Sequence, residues 1–512
     1  MNDIAQKRYI LPDLPFFSWI NAFIHSKWFA FCLAIFCLVS NVLGLDFYFY
    51  FTIACLAIYI SLFGRDYLPY IPMMLFSYIA PSIQNNPSKS DNSIFLLNNG
   101  GLTLIIMGGA VAFFLLVRLI FDREIGFRNM VKCKYRLLGG MVFLGISYVI
   151  SGLGSALLDG FEIKNLMFAG VQFAAMVVPY FVLCFGVKWN KVKKDYFAFC
   201  AILFGLVAGL QILYAYHAND VIQNGKPVKL LIYSGWGVST NMGAMVTLAI
   251  PFAFYYICKD KNVIISNIVI VILFFANIMS LSRNSILVCV LLYVICEIIM
   301  IFKAEKFFTR FISVLFIILL LAGIYFFNNY IFNTLGVSFI NGFEPSGRLE
   351  IYEDAIETFY SFPLFGGGFY AINSGLSPDE VAWNAFFPRM WHNTVLQVMA
   401  TGGFISLIAY VIHRIQTIIL VFKKRNVENF FIALSILSLL LMSLLDCYFF
   451  QLGPMLLYAS AFAFIEQRLP FAKKDSFDNY VSIEEFRYIE PIERNGFENI
   501  IYKRKSKRTK IK

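Results

Sequence analysis

From Val263 to Phe302 the chain reads VIISNIVIVILFFANIMSLSRNSILVCVLLYVICEIIMIF, two apolar runs joined by one short polar break. Each run, 263–279 and 286–302, comes to about 17 residues, close to the length that carries a helix across a ~30 Å hydrocarbon layer. The break, Met279-Ser280-Leu281-Ser282-Arg283-Asn284, then falls at a membrane surface. Two adjacent crossings of this kind decide the fold class if the pattern recurs.

It recurs along the whole chain. Comparable runs occupy 28–43, 47–63, 67–83, 102–121, 137–157, 166–187, 196–216, 242–258, 311–327, 394–421, 430–447 and 452–465, and short alternating strands of a barrel are absent. Hydrophobic residues make up 59% of the chain and charged ones 14%. The mean hydropathy is +0.71. A soluble domain with that composition exposes large apolar patches to water. The expected fold is an all-α polytopic membrane protein of about fourteen transmembrane helices, with one long, partly helical extracytoplasmic loop. The divisions read as 1–27, a cytoplasmic N-terminus; 28–327, a bundle of about eleven helices; 328–391, the extracytoplasmic loop; 392–466, the last three helices; and 467–512, a basic cytoplasmic tail.

Charge gives the orientation. With loops taken alternately, about 35 of the 42 Lys and Arg residues fall on the side of the N-terminus and about 7 on the other. Both termini are therefore expected in the cytoplasm. The net charge of +11 is spread over alternate loops instead of one exposed face, which argues against nucleic acid as a partner. The ten cysteines form no C-x-x-C pair and mostly lie inside apolar runs, as packing residues do. Lys7 and Arg8 precede the first run without a small-residue cleavage site, so that helix is expected to stay as an uncleaved anchor. The ending KRKSKRTKIK reads either as a solvated tail or as a contact for anionic headgroups.

Chemistry is expected where polar residues gather on the outer side. The stretch 346–375, SGRLEIYEDAIETFYSFPLFGGGFYAINSG, is followed by 389–403, RMWHNTVLQVMATGG. Leu349, Tyr352, Ile356 and Phe359 are spaced as one face of a short amphipathic helix, stopped by Pro363 and the glycines at 366–368. Arg348 stands in the first turn behind Ser346, a candidate N-cap. A cation there is unfavourable unless an anion sits opposite, so Arg348 either meets a phosphate or pairs locally with Glu350 or Asp354. Arg283 either snorkels to lipid phosphate or faces the bundle interior. His392 is either a polar end-group beside Trp391 or a proton acceptor, biased toward the neutral form by two nearby arginines. Gly366, Gly367 and Gly368, with Gly402 and Gly403, allow backbone to approach a ligand or a neighbouring helix. Asp446 is a further acid near the outer end of its run. The sequence has no H-E-x-x-H, no Walker glycine loop and no outer His/Cys set, so neither metal nor nucleotide is indicated.

The order of these motifs resembles the O-antigen ligase and O-antigen polymerase superfamily: Ser282-Arg283 ending a break, Ser346-Gly347-Arg348 opening a long loop, Pro363-Leu364-Phe365-Gly366-Gly367-Gly368, then His392-Asn393 beginning a helix. Gly235-Trp236-Gly237 with Asn241 resembles the family's glycine and asparagine segment. The resemblance covers residues 232–403, while Tyr352, standing where a tryptophan is common, and the number of runs depart from it. It implies a glycosyltransferase of bacterial surface polysaccharide assembly in the inner membrane, without cofactor, acting on oligosaccharides carried by undecaprenyl diphosphate at the outer face. Arg283 and Arg348 match its diphosphate-binding arginines, His392 its essential histidine, and Asn241, Asn393 and the three glycines its substrate-binding positions. A chain-length regulator and a flippase of the same pathway enter as partners. The leading expectation is a polymerase of repeat units, with a ligase passing glycan to lipid A core or protein as the alternative. A flippase or transporter, the reading from another class, calls for inverted repeats and midplane charges, which are not evident here.

Overall fold

The computed structural model describes residues 14–82, 99–122, 137–154, 163–187, 189, 191–234, 237–259, 262–326, 348–369, 390–424 and 426–466. Sixteen α-helices lie among them: α1 (Pro15–Ile24), α2 (Lys27–Leu43), α3 (Asp46–Phe63), α4 (Tyr70–Ile79), α5 (Asn99–Phe121), α6 (Leu138–Val149), α7 (Ile163–Gly186) and α8 (Lys191–Ala218), then α9 (Ser239–Ile257), α10 (Val263–Met279), α11 (Arg283–Lys303), α12 (Phe307–Phe326), α13 (Arg348–Ser361), α14 (Thr394–Lys423), α15 (Val427–Met442) and α16 (Leu452–Glu466). Between α8 and α9 run two antiparallel pairs of two-residue strands, β1 (Ile222–Gln223) with β2 (Lys226–Pro227) and β3 (Tyr233–Ser234) with β4 (Gly237–Val238). Ser346, Gly235, Trp236, Arg389 and the tail from 467 lie outside the described residues.

Fourteen helices, α2 to α12 and α14 to α16, overlap the fourteen apolar runs one for one. By length and composition alone, α3, α8, α9, α11 and α14 are long and apolar enough to cross a membrane, and a sixth crossing is counted if α1 and α2, bent by 66°, form one broken span. Of the remaining apolar helices, α4, α6, α10, α15 and α16 have 10–17 residues. Local signals set the ends: Ser26 caps α2 through Phe29 N, and Gly44, at φ 71°, ends it in the left-handed conformation.

The centre of the bundle is α9. Nearly every residue from Met242 to Ile257 is buried, and the helix packs against α8, α10, α11 and α15. A helix apolar on all sides can only sit in such a place. The periphery has the opposite arrangement, with Phe307, Phe311, Ile318 and Leu321 of α12 and Leu287 and Leu291 of α11 turned outward. Hydrocarbon, not water, suits that surface, and the protein is an integral membrane protein.

Two expectations about the ends of elements change. The segment 1–27 contains α1, whose Phe16, Trp19 and Phe23 are exposed and which is pinned by Asn21 Nδ2 donating to Phe63 O at 2.7 Å and by His25 Nε2 against Asp66 Oδ1 at 2.9 Å. Ten residues are too few for a crossing, so hydropathy alone passes over this helix. In α13 the packed face runs through Ala355 and Phe359, whereas Leu349 and Ile356 are 52% and 41% exposed. Spacings of three and four permit more than one stripe, and contact with α14 selects this one.

That contact depends on a backbone strap. At Gly403 (φ 62°, ψ −160°) α14 breaks, and the segment 363–368 lies along the break. Phe404 N donates to Pro363 O at 2.8 Å, Ile405 N to Leu364 O at 3.2 Å, Gly367 N to Ala400 O and Gly368 N to Thr401 O at 2.9 Å each. These bonds satisfy backbone groups that a broken helix leaves without partners. A Cβ on Gly366 (φ 71°) would stand 2.3 Å from the Thr401 carbonyl, and one on Gly403 would stand 2.6 Å from that of Leu364. Close approach to a neighbouring segment, one of the two uses weighed for the glycines, is seen at Gly366 and Gly403.

Candidate functional site

The connection between α15 and α16 gathers the segments that carry the candidate residues. Asn284 Nδ2, next to Arg283, donates to Met442 O at 2.8 Å. Thr394 N donates to Ser443 O at 2.9 Å and Asn393 Nδ2 to Leu444 O at 3.0 Å. Tyr448 OH donates to Thr240 O at 3.2 Å, and Gln451 Nε2 to Asn241 Oδ1 at 2.9 Å. Residues separated by some two hundred positions thus share one short turn. Both asparagines expected to bind substrate have structural tasks, since Asn393 also caps α14 by accepting from Val395 N and Leu396 N.

At the centre lies a histidine with an acid. His392 Nδ1 stands 3.3 Å from Asp446 Oδ1, with the imidazole 37% exposed and the carboxylate 12%. A second lock is the Asp446 oxygen itself, which accepts from Cys447 N at 2.8 Å. His392 has φ 51°; for a residue with a Cβ, the left-handed conformation costs about 1–2 kcal/mol. Neighbours hold it there: Trp391 is buried, its backbone N–H donating to Gln397 Oε1 at 2.9 Å, and Tyr352 OH donates to His392 O at 3.3 Å. The charged group in contact with the imidazole is Asp446.

The arginines surround the same turn. Arg348 opens α13, the helix that Tyr352 ties to His392, and among the described residues it forms no ion pair with Glu350 or Asp354. Its charge reaches Tyr448, whose phenol is pushed up by burial and by Asp446 and drawn back partly by Arg348. Arg283 opens α11 just after Leu281, which has φ 54°. Lys229, in the connection that follows β2, is near enough to feel Arg283, Arg348 and Asp446 together. Burial first, then the two guanidiniums, hold its ammonium below the ordinary lysine value, and Asp446 opposes them. Arg283, Arg348 and His392 are thus neighbours of one carboxylate-bearing turn.

Residues 268–411 match the family model described as O-antigen ligase. The likeness to that family is confined to this segment. The match supports the superfamily read from the order of the motifs, and no curated protein matches the chain. The matched segment contains Arg283, Arg348, the glycine strap and His392, whereas Lys229, Asn241, Asp446 and Tyr448 lie outside it. Sequence reasoning noted Asp446 only as an acid near a membrane surface, and counted Lys229 only as one outward basic residue. The signal for Asp446 was its type in an apolar run, but nothing in spacing could pair it with a histidine 54 residues away.

The chemistry open to this arrangement follows from its donors and acceptors. A carboxylate only accepts, so an ionised Asp446 keeps the proton of His392 on Nδ1 and leaves Nε2 with a lone pair. Guanidiniums at the N-termini of α11 and α13 supply charge and N–H donors for an anion with several oxygens.

Proposed function

We propose that the protein polymerises oligosaccharide repeat units of a surface polysaccharide, moving the growing chain from undecaprenyl diphosphate onto an incoming unit. Supporting this reading is one observation above the rest: the His392–Asp446 contact stands on the turn that Arg283 and Arg348 adjoin, inside or beside the O-antigen ligase segment. His392 Nε2 accepts the proton of the acceptor hydroxyl as its oxygen attacks the anomeric carbon. On the opposite face the bond from that carbon to the phosphate oxygen breaks, and the electron pair stays with the diphosphate. Arg283 and Arg348 hold the charge that grows there, an interaction stronger in the transition state than in the ground state. The anomeric centre inverts, and the side chains supply the charge stabilisation the step needs. Proton transfer of this kind contributes about 10²- to 10⁴-fold.

The reading includes a topology: fourteen crossings of the bacterial inner membrane, both termini cytoplasmic, and the site at the outer face with the prenyl chain between helices. A second reading, transfer of finished glycan to lipid A core or protein, is favoured by the description of the matching family as a ligase. Surface glycan from a deletion strain separates the two. Single repeat units are expected from a lost polymerase, whereas long chains left unattached point to a ligase.

A further inference from the structure

We infer that Gln397 is a positioning residue of the proposed reaction: its side-chain oxygen holds the neighbours of both His392 and Asp446 and so sets the contact between them. The inference rests on the reading of His392 as the proton acceptor and adds the residue that aims it.

The geometry is a closed circuit. Gln397 Oε1 accepts from the backbone N–H of Trp391 at 2.9 Å and from Cys447 Sγ at 3.3 Å. Trp391 directly precedes His392, and Cys447 directly follows Asp446. Cys447 N donates to Asp446 Oδ1 at 2.8 Å, and the same carboxylate oxygen stands 3.3 Å from His392 Nδ1. One amide oxygen thus fastens the two chain segments on which the imidazole and the acid stand, 54 positions apart. An amide oxygen has two lone pairs and can take both donors at once. Gln397, Trp391 and Cys447 are all fully buried, where a donor without an acceptor is costly. The circuit therefore resists opening at either bond.

Gln397 is itself fixed. It lies in the first turn of α14, its N–H donating to Asn393 O at 2.8 Å and its carbonyl accepting from Thr401 Oγ1 at 2.6 Å. His392 holds a left-handed backbone, φ 51°, and such a conformation persists only where the surrounding structure over-determines it. Gln397 secures the residue before His392, while α14 secures the residues after it. The amide thus serves both ends of the contact: the backbone that aims the imidazole and the turn that carries the carboxylate.

The test is steady-state elongation of lipid-linked repeat units by purified full-length protein in detergent. Gln397→Met keeps the length of the side chain and removes the acceptor. It is expected to lower kcat by about 10²-fold, with KM for the lipid-linked donor within about twofold of wild type. In an Asp446→Asn background the same substitution is expected to cost less than about threefold, since both changes act through the aim of one imidazole. Cys447→Ala, which removes the thiol donor, is expected to lower kcat by about tenfold, and Cys447→Ser to restore part of that loss through its hydroxyl. This pair reads the same link if Gln397→Met does not fold. Ser435→Ala removes a buried bond to Leu248 O outside the circuit, and is expected to unfold earlier with kcat unchanged, which separates stability from aim. Wild-type kcat in Gln397→Met, a loss fully additive with that of Asp446→Asn, or equal rates in the two Cys447 variants overturns the role of Gln397. Elongation at the wild-type rate by His392→Ala overturns instead the reading of the base on which the inference rests.

Discussion

His392 and Asp446 touch at 3.3 Å through Nδ1, and that contact decides which imidazole nitrogen can act. An amide in place of the carboxylate can donate as well as accept, so the tautomer is no longer fixed. Asp446→Asn is expected to lower kcat by about 10²- to 10⁴-fold, the range of a general base, with KM for the lipid-linked donor little changed. A rise in KM with kcat intact contradicts the orienting role and points to Asp446 as part of the binding surface. At this scale the sequence was informative about types and poor about partners. Arg283, Arg348 and His392 stood out because charge and imidazole are rare beside apolar runs on the outer side. Their common neighbours did not stand out, because a turn such as 443–451 draws its contacts from distant segments through backbone carbonyls, which every residue has.

At the level of elements the site depends on how α13 is held on α14. The strap 363–368 supplies the missing hydrogen bonds of the break at Gly403, and it fixes the helix that carries Arg348 and Tyr352 beside the one that begins after His392. Gly366→Ala and Gly403→Ala put a Cβ against backbone at positive φ, where nothing flexible can yield. Each is expected to lower stability by at least about 1–2 kcal/mol, read as an earlier thermal unfolding in detergent, and to reduce glycan transfer with it. Gly170→Ala in α7, where a Cβ meets nothing within 4 Å, is expected to leave the unfolding unchanged or slightly delayed. Equal behaviour of all three contradicts the strap. The glycine run, the proline before it and the helix ahead of it were legible in sequence. The packed stripe of α13 was not, since its residues alternate between apolar faces and only the neighbour selects one.

Over the whole molecule, apolar length and basic asymmetry carry most of what can be read. The fourteen runs coincide with fourteen helices, while α1 escapes because it is short and bent from α2 by 66°. Among the described residues five helices are long and apolar enough to cross alone, six crossings with the bent pair, and the proposed fourteen crossings make a sharp claim about sides. Reporter fusions ending at positions 190 and 305 are expected to be active only as cytoplasmic reporters, and those ending at 224 and 345 only as extracytoplasmic ones. Fusions at 190 and 224 on the same side contradict the crossing by α8 and, with it, the placing of Lys229 at the outer face.

The central claim is that two guanidiniums and an acid-held imidazole work together on a lipid-borne sugar diphosphate. Its most direct test is incubation of purified protein with lipid-linked repeat units, followed by sizing of the glycan, for wild type, His392→Ala and Arg348→Lys. Long products from wild type and unextended units from both folded variants are the result expected, because neither a methyl group nor a lysine can replace the lost function. Products of wild-type length and rate from His392→Ala contradict the account.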